Sequence, residues 1–434
     1  MSTPAPRLVR GQITGEMFPA YPEPLREEGA AFLTRAFRAT GSIAPDNAVA
    51  AITGFEEFFG GGAGRKLVLT VEYAKPQNLH TELFVKYPRD FGDPLRDLFA
   101  GLMDAETRFA HLSRRPGFPV PVPRCYFADY DPATGTGLLI TERIAFGRGG
   151  IEPFQDKCLD YELDDPLGHY RALVLAVARL CGAYKAGRLG EDVDAQFPFD
   201  PTVTRPTDRI PYTADQLVEK IARLRRFARK HPAFLPEHLR DGAFLDQFGR
   251  EAQAFLAREI PIKRFLQSDP DYIALGHWNA NVDNAWFRTG PDGVREAGLL
   301  DWGGAGRMNV AQTLFGVLCA AELDVWDRHK AELVVLFAEE YHRSGGPRLP
   351  IDELDFQVKL FIAMLGIAWM LDAPSLIESQ LPDLATMRDR YDPRFRENFL
   401  ARAQLHLMTV FLNAWKTERF GDLLARFDRL PPIP

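Results

Sequence analysis

Between residues 45 and 144 the chain changes texture about every ten residues, and this limits the possible folds more than any other feature. Residues 49–59 are apolar and β-prone, Gly60-Gly61-Gly62-Ala63-Gly64 follows, and residues 66–73 are β-prone again. A turn at Lys75-Pro76-Gln77-Asn78 leads into a third such run, 81–87. Short β-prone runs punctuated by Gly, Pro and Asn predict an antiparallel meander. A helix is predicted over about 95–112. After a break at 116–123, residues 126–127 and 137–144 read as two more strands, joined by a turn at 131–135. Five short strands and one helix make a small α+β lobe.

From residue 145 onward the periodicity becomes helical. Helices are predicted over 167–187, 214–230, 235–258, 351–371 and 396–427, with one strand–loop–strand stretch at 273–302. Ahead of the meander, residues 24–40 have helical spacing, and the Pro-rich first 22 residues are expected to be loosely ordered. The expected domains are therefore an N-terminal extension (1–44), a small lobe (45–144) and a larger helical lobe (145–434). No internal repeat or low-complexity segment interrupts them.

Composition excludes several function classes. The 434 residues are 46% hydrophobic and 26% charged, with a net charge of −7, which is ordinary for a soluble globular chain. A net acidic chain argues against nucleic acid or an anionic membrane as partner. Cys125, Cys158, Cys181 and Cys319 have neither Cys-x-x-Cys spacing nor a histidine at ligand spacing. They read as reduced, mostly buried thiols rather than a disulfide framework or zinc site. Residues 1–12 lack the apolar centre of a secretory signal, and the most apolar run, 173–184, is short and interrupted by Arg179. A cytoplasmic location is expected.

Four signals that carry chemistry follow one another along the chain. The first is the glycine turn, where Gly60, Gly61 and Gly62 let backbone N–H groups approach phosphates. Alone, such a turn is only a turn. The second is Lys86, near the end of the third strand, where an inward ammonium can hold nucleotide phosphates. The third is Glu106 on the following helix, placed to pair with Lys86, with Asp104 as a competitor for the role. The fourth is His277-Trp278-Asn279-Ala280-Asn281-Val282-Asp283-Asn284 followed by Leu299-Leu300-Asp301-Trp302-Gly303. The strands between these two segments turn at Gly290-Pro291-Asp292-Gly293 and bring their ends together. Asn284 and Asp301 offer oxygen ligands suited to Mg²⁺ held against phosphates.

In this order the motifs resemble the aminoglycoside phosphotransferase and choline kinase-like family. Its catalytic loop reads His-Gly-Asp with an Asn five positions after the Asp, then Ile-Asp-Trp or similar. His277, Asn284 and Leu300-Asp301-Trp302 match. Val120-Pro121-Val122-Pro123 is similar to the family's lead into the fourth strand, and Ile140-Thr141-Glu142-Arg143-Ile144 to its hinge. The resemblance spans roughly 45–320. It implies an α+β, two-lobed protein-kinase-like fold, with a five-stranded N-lobe and a larger, mainly helical C-lobe. It also implies an ATP- and Mg²⁺-dependent phosphotransferase acting on a small-molecule hydroxyl. Backbone groups near Glu142 and Ile144 would then contact adenine, Lys86 and Glu106 would position phosphates, and Asn284 and Asp301 would hold the metal.

The departures cluster at the catalytic loop. The family's catalytic aspartate falls on Asn279, whose amide is too feeble a base to take a proton. Two further family acids fall on Asn309 and Thr313, and the bulky Trp278 stands where the family has glycine. Asn279 would orient the acceptor, with Asp283 as a possible substitute carboxylate. The alternative is a pseudokinase-like nucleotide-binding protein with a sensing or scaffold role. Transfer of another group, such as a nucleotidyl moiety, is a third option. The basic residues at 223–230 read as a solvated helix face.

Overall fold

The structure, a computed structural model, describes residues 5–58, 64–76, 78–202 and 209–431. It divides into two compact units. The first holds Met1–Glu152, Leu189–Pro198 and Gly298–Gly306; the second holds Pro153–Arg188, Phe199–Ala297 and Arg307–Pro434.

The first unit opens with a hairpin of β1 (Leu8–Arg10) and β2 (Met17–Pro19), then helix α1 (Pro22–Ala39). The hairpin corrects the expectation of loose order, and its cause lies 115 residues away. The Asp129 carboxylate, fully buried, accepts hydrogen bonds from the backbone N–H groups of Ile13 and Thr14, each at 2.9 Å. A Cβ on Gly11 would lie 2.0 Å from Asp129 Oδ2, so only glycine lets the hairpin loop sit against that carboxylate.

Strands β3 (Val49–Phe58), β4 (Arg65–Tyr73) and β5 (Glu82–Tyr87) form the predicted meander. Helix α2 (Arg96–Leu112) follows, then β6 (Cys125–Asp131) and β7 (Thr136–Glu142). The sheet is antiparallel in the order β3-β4-β5-β7-β6. Strand β6 is longer than expected because both its faces are covered, which erases the polar–apolar alternation a sequence reading needs. Strand β7 stops at Glu142, so Ile144 lies beyond the sheet, half-buried.

The two sheet faces have different partners. Leu83 and Val85 of β5 join Leu67, Leu69, Phe32, Phe37 and Phe127 in one buried cluster beneath α1. Each fully buried side chain of this size contributes about 1.5–3 kcal/mol. The alternate residues point the other way, as the two-residue period of a strand requires. Leu139 of β7 packs there with Met103 and Ala110 of α2. Its cross-strand partner is Lys86, which therefore faces α2 as well.

The second unit is mainly helical. Helix α3 (Pro166–Lys185) starts where Asp165 accepts a hydrogen bond from the Gly168 N–H, and it packs against the helices Leu323–Arg343 and Val310–Leu318. The predicted helix at 235–258 is two, Glu237–Arg240 and Gly242–Ala257, because Asp241 caps the second. The predicted helix at 396–427 is three, Pro393–Glu397, Phe399–Thr417 and Phe420–Phe427. Asn398 caps the second of these, and Arg419 enters the left-handed region at φ 53° to break the chain before the third. Strand β8 (Ile273–Gly276) pairs with β11 (Gly306–Asn309), and between them β9 (Ala285–Thr289) and β10 (Arg295–Leu299) form the predicted hairpin. Among the described residues no single helix is long and apolar enough to cross a membrane. All four cysteines are free thiols, as expected.

Candidate active site

In the first unit three of the predicted residues meet. Lys86 Nζ lies 2.7 Å from Glu106 Oε2 and 2.6 Å from Asp301 Oδ1. The lysine and glutamate side chains are 4% and 5% exposed, whereas Asp301 is 41% exposed. The sheet parity explains Lys86, and helix phase explains Glu106. Asp104, two residues earlier, turns away to pair with Arg108 at 2.8 Å. Burial alone would lower the Lys86 pKa, but the carboxylates of Asp301 and Glu106 outweigh it and hold the ammonium above its usual value. Burial raises the Glu106 carboxyl, with Lys86 opposing.

Asp301 is held from both sides. The Leu299 N–H donates to Pro121 O at 3.0 Å, and the Trp302 ring stacks on Phe109 with centroids 3.6 Å apart. Phe109 sits one helical turn after Glu106, on the same face of α2. Asp301 itself has φ 55°, a strained backbone of the kind found at functional sites, and one that aspartate tolerates better than most residues. Glu106→Gln is expected to lower stability by about 1–3 kcal/mol, because a buried ammonium loses one of two anionic partners. Urea unfolding of both proteins measures this; an unchanged midpoint would show that Glu106 contributes nothing there.

At the predicted hinge, the Glu142 N–H donates to Arg124 O at 2.9 Å. Its side chain accepts from the Arg124 N–H at 2.8 Å and lies 2.8 Å from His80 Nε2. Gly60, Gly61 and Gly62 lie outside the described residues.

The second unit holds the loop that follows β8. His277 is buried, and its Nδ1 accepts from the Asn279 N–H at 3.2 Å. The Asn284 amide nitrogen donates to Asn279 O at 2.9 Å, which turns the loop back on itself. Asn281 donates to Gly316 O. A Cβ on Gly316 would lie 1.9 Å from Trp278 O, so the helix Val310–Leu318 presses directly on the loop. Asn309 caps that helix through the Ala311 N–H at 2.8 Å, and its amide nitrogen donates to Leu266 O and to Gln357. Thr313 is fully buried. The two positions that depart from the family's acids thus have a structural setting.

Sequence reasoning missed Lys157. Its ammonium lies 3.3 Å from Asn279 Oδ1 and 3.6 Å from Asp283 Oδ1. No motif marks it, since it sits alone in a loop 122 residues before Asn279. Burial pulls its pKa down, but Asp283 more than compensates, and the ammonium is held above its usual value. Lys157 is therefore charged and unable to act as a base at neutral pH. Asp283, paired with it, is not an idle carboxylate either.

Next to this pair is Asp160, fully buried and accepting from the Tyr170 hydroxyl. Burial first, then the nearby Glu322 and Asp283 carboxylates, push its carboxyl up to about 7, against Lys157 and the Tyr170 hydrogen bond. Its ordinary value is about 3.9. Between these values the folded chain holds a proton that the unfolded chain has lost. Stability therefore falls as pH rises from about 4 to about 7, by roughly 4 kcal/mol from this group. Asp160→Asn is expected to flatten that part of the profile, measured by urea unfolding at pH 5 and pH 8. An equal slope in both proteins would show that Asp160 does not titrate there.

Asn284 belongs to the second unit and Asp301 to the first. Both supply hard oxygen donors, the type Mg²⁺ selects. Among the described residues no group of three His, Cys, Asp or Glu side chains is arranged to hold a metal.

No family model matches the chain, and no curated protein matches it. Among solved structures it is similar to an ethanolamine kinase of Plasmodium vivax, at 12% identity over 84% of this chain and 83% of that one, with a TM-score of 0.41. It is similar to a choline kinase from Cryptosporidium parvum, at 13% identity over 86% and 92%, with a TM-score of 0.40. A type VIII aminoglycoside-3'-phosphotransferase shares 21% identity over 76% and 98%, with a TM-score of 0.37. Ethanolamine and choline kinases and aminoglycoside phosphotransferases are thus what this chain is similar to among solved structures.

Proposed function

We propose that this protein is an ATP- and Mg²⁺-dependent phosphotransferase acting on the hydroxyl of a small molecule. The observation that carries this is the buried Lys86 ammonium between Glu106 and the half-exposed Asp301. A fully buried cation with two anionic partners, one of them on a strained backbone, is costly to maintain as mere structure. In phosphoryl transfer it has a use: the lysine neutralises nucleotide phosphates, the glutamate fixes the lysine, and the aspartate takes the metal. Asn284 would be the second metal ligand. The metal, when bound, neutralises charge on the β- and γ-phosphates.

The acceptor oxygen forms a bond to the γ-phosphorus as the bond to the β–γ bridging oxygen breaks, and ADP leaves. The Asn279 carbonyl oxygen accepts a hydrogen bond from the acceptor hydroxyl and orients it. The hydroxyl proton passes to solvent water, since position 279 carries no carboxylate. Positioning and charge stabilisation supply most of the catalysis of this reaction, so slow transfer survives the loss of a base. The test is a thermal shift with Mg-ATP, followed by an assay for ATP consumption over a library of hydroxyl compounds. No Mg-ATP shift, with control kinases responding, would sink the proposal.

A nucleotide-binding protein without transfer activity is the second reading. One observation favours it: the Asn279 amide oxygen already takes Lys157, so the catalytic position is partly occupied by a cation. Mg-ATP binding with no acceptor turned over is its signature.

A further inference from the structure

Beside Asn279, wholly within the second unit, is a cavity of about 210 Å³. Its wall is aromatic and aliphatic: Trp278, Phe315, Trp326, Trp369 and Phe411 contribute rings, and Leu365 and Ala414 fill the gaps. Lys157 and Asn279 are polar lining residues, with the Cys319 thiol, and among the described residues no carboxylate-bearing residue lines it. Lys157, Trp278, Asn279, Cys319, Trp369 and Leu407 are half-buried while the rest of the lining is buried, so the cavity opens on their side. Trp278 and Trp369 meet edge-to-face at 5.8 Å across that mouth.

We propose that this cavity binds an uncharged, mainly apolar alcohol of roughly nine heavy atoms, with its hydroxyl on Asn279. The proposal rests on the phosphotransferase reading, whose acceptor it specifies. The size follows from the volume, since an engineered apolar cavity of about 150 Å³ accepts benzene. The charge follows from the lining. Aromatic faces attract cations, but a cationic acceptor would here be desolvated near the Lys157 ammonium with no lining carboxylate to offset it. An anion gains little, because Lys157 is already paired with Asp283. An uncharged alcohol leaves that pair intact and buries its hydrocarbon against the rings.

The full chain should be titrated with 2-phenylethanol, following melting temperature and intrinsic tryptophan fluorescence, with choline and kanamycin in parallel. Expected is stabilisation and a fluorescence change with 2-phenylethanol below about 1 mM, and no response to the two cations. Ala414→Phe fills the cavity and should weaken 2-phenylethanol at least tenfold. Leu407→Trp, at the half-buried mouth, does the same if the first variant does not fold. The proposal is overturned if 2-phenylethanol gives no response, if the cations bind better, or if the folded variants bind it as the wild type does. ATP consumption separates the two proposals. Binding of 2-phenylethanol without ATP consumption sinks the transfer reading and leaves the ligand class standing. ATP consumption with cationic acceptors only sinks the ligand class and leaves transfer standing.

Discussion

Asp301→Ala is expected to remove the Mg-ATP thermal shift and to lower phosphotransfer by at least about 10³-fold. The carboxylate has two expected tasks, ligating the metal and anchoring Lys86 Nζ at 2.6 Å, and alanine performs neither. The variant should still fold. Glu106 remains 2.7 Å from the lysine, so the buried ammonium keeps an anionic partner. Alanine at φ 55° adds backbone strain of about 1–2 kcal/mol. Asp301→Asn controls for this, because asparagine tolerates the left-handed region while losing the charge. Both variants should melt cooperatively and give no shift with Mg-ATP. A normal shift in Asp301→Asn would mean that the metal is held elsewhere, and the nucleotide site would have to be reassigned.

Asn279→Asp is expected to raise phosphotransfer. A positioned base contributes roughly 10²–10⁴-fold, and the gain should fall at the lower end of that range. The reason is Lys157, 3.3 Å from the Asn279 amide oxygen. An aspartate there forms an ion pair with a buried ammonium, which stabilises the ionised carboxylate, lowers its pKa and makes it a poorer base. Mg-ATP binding should be unchanged, because Lys86, Glu106 and Asp301 are untouched and Asn284 bonds to the backbone carbonyl of residue 279, which the substitution keeps. The informative comparison is turnover against pH for wild type and variant with the same acceptor. A gain that grows with a basic limb in the profile identifies the new carboxylate as the base. If the variant binds Mg-ATP and turns over no acceptor, the non-catalytic reading gains. A fast wild type slowed by the change would make Asn279 a working part of another mechanism, and Asp283 the next residue to vary.

By itself the sequence determined the α+β class, the strand meander and the helical remainder, because these depend on local periodicity and on Gly and Pro punctuation. Its place near the end of the third strand made Lys86 a candidate, and the spacing from Asn279 to Asn284 and the Leu300-Asp301-Trp302 run marked the two loops. Tertiary structure decided what depended on distant partners. Glu106 rather than Asp104 faces Lys86 because packing of α2 on the sheet sets the helix phase. The N-terminal hairpin forms because Asp129, in an unrelated strand, binds its loop. The long C-terminal helix breaks at Arg419, a non-glycine residue that takes the left-handed conformation there. The cation beside Asn279 in the loop after β8 comes from Lys157, a lone residue with no motif. The cavity beside it is assembled from separate segments whose side chains look, one by one, like ordinary core. Local pattern encodes which elements form. Which side chains share a site is set by packing between elements far apart in the chain, and no local pattern carries that information.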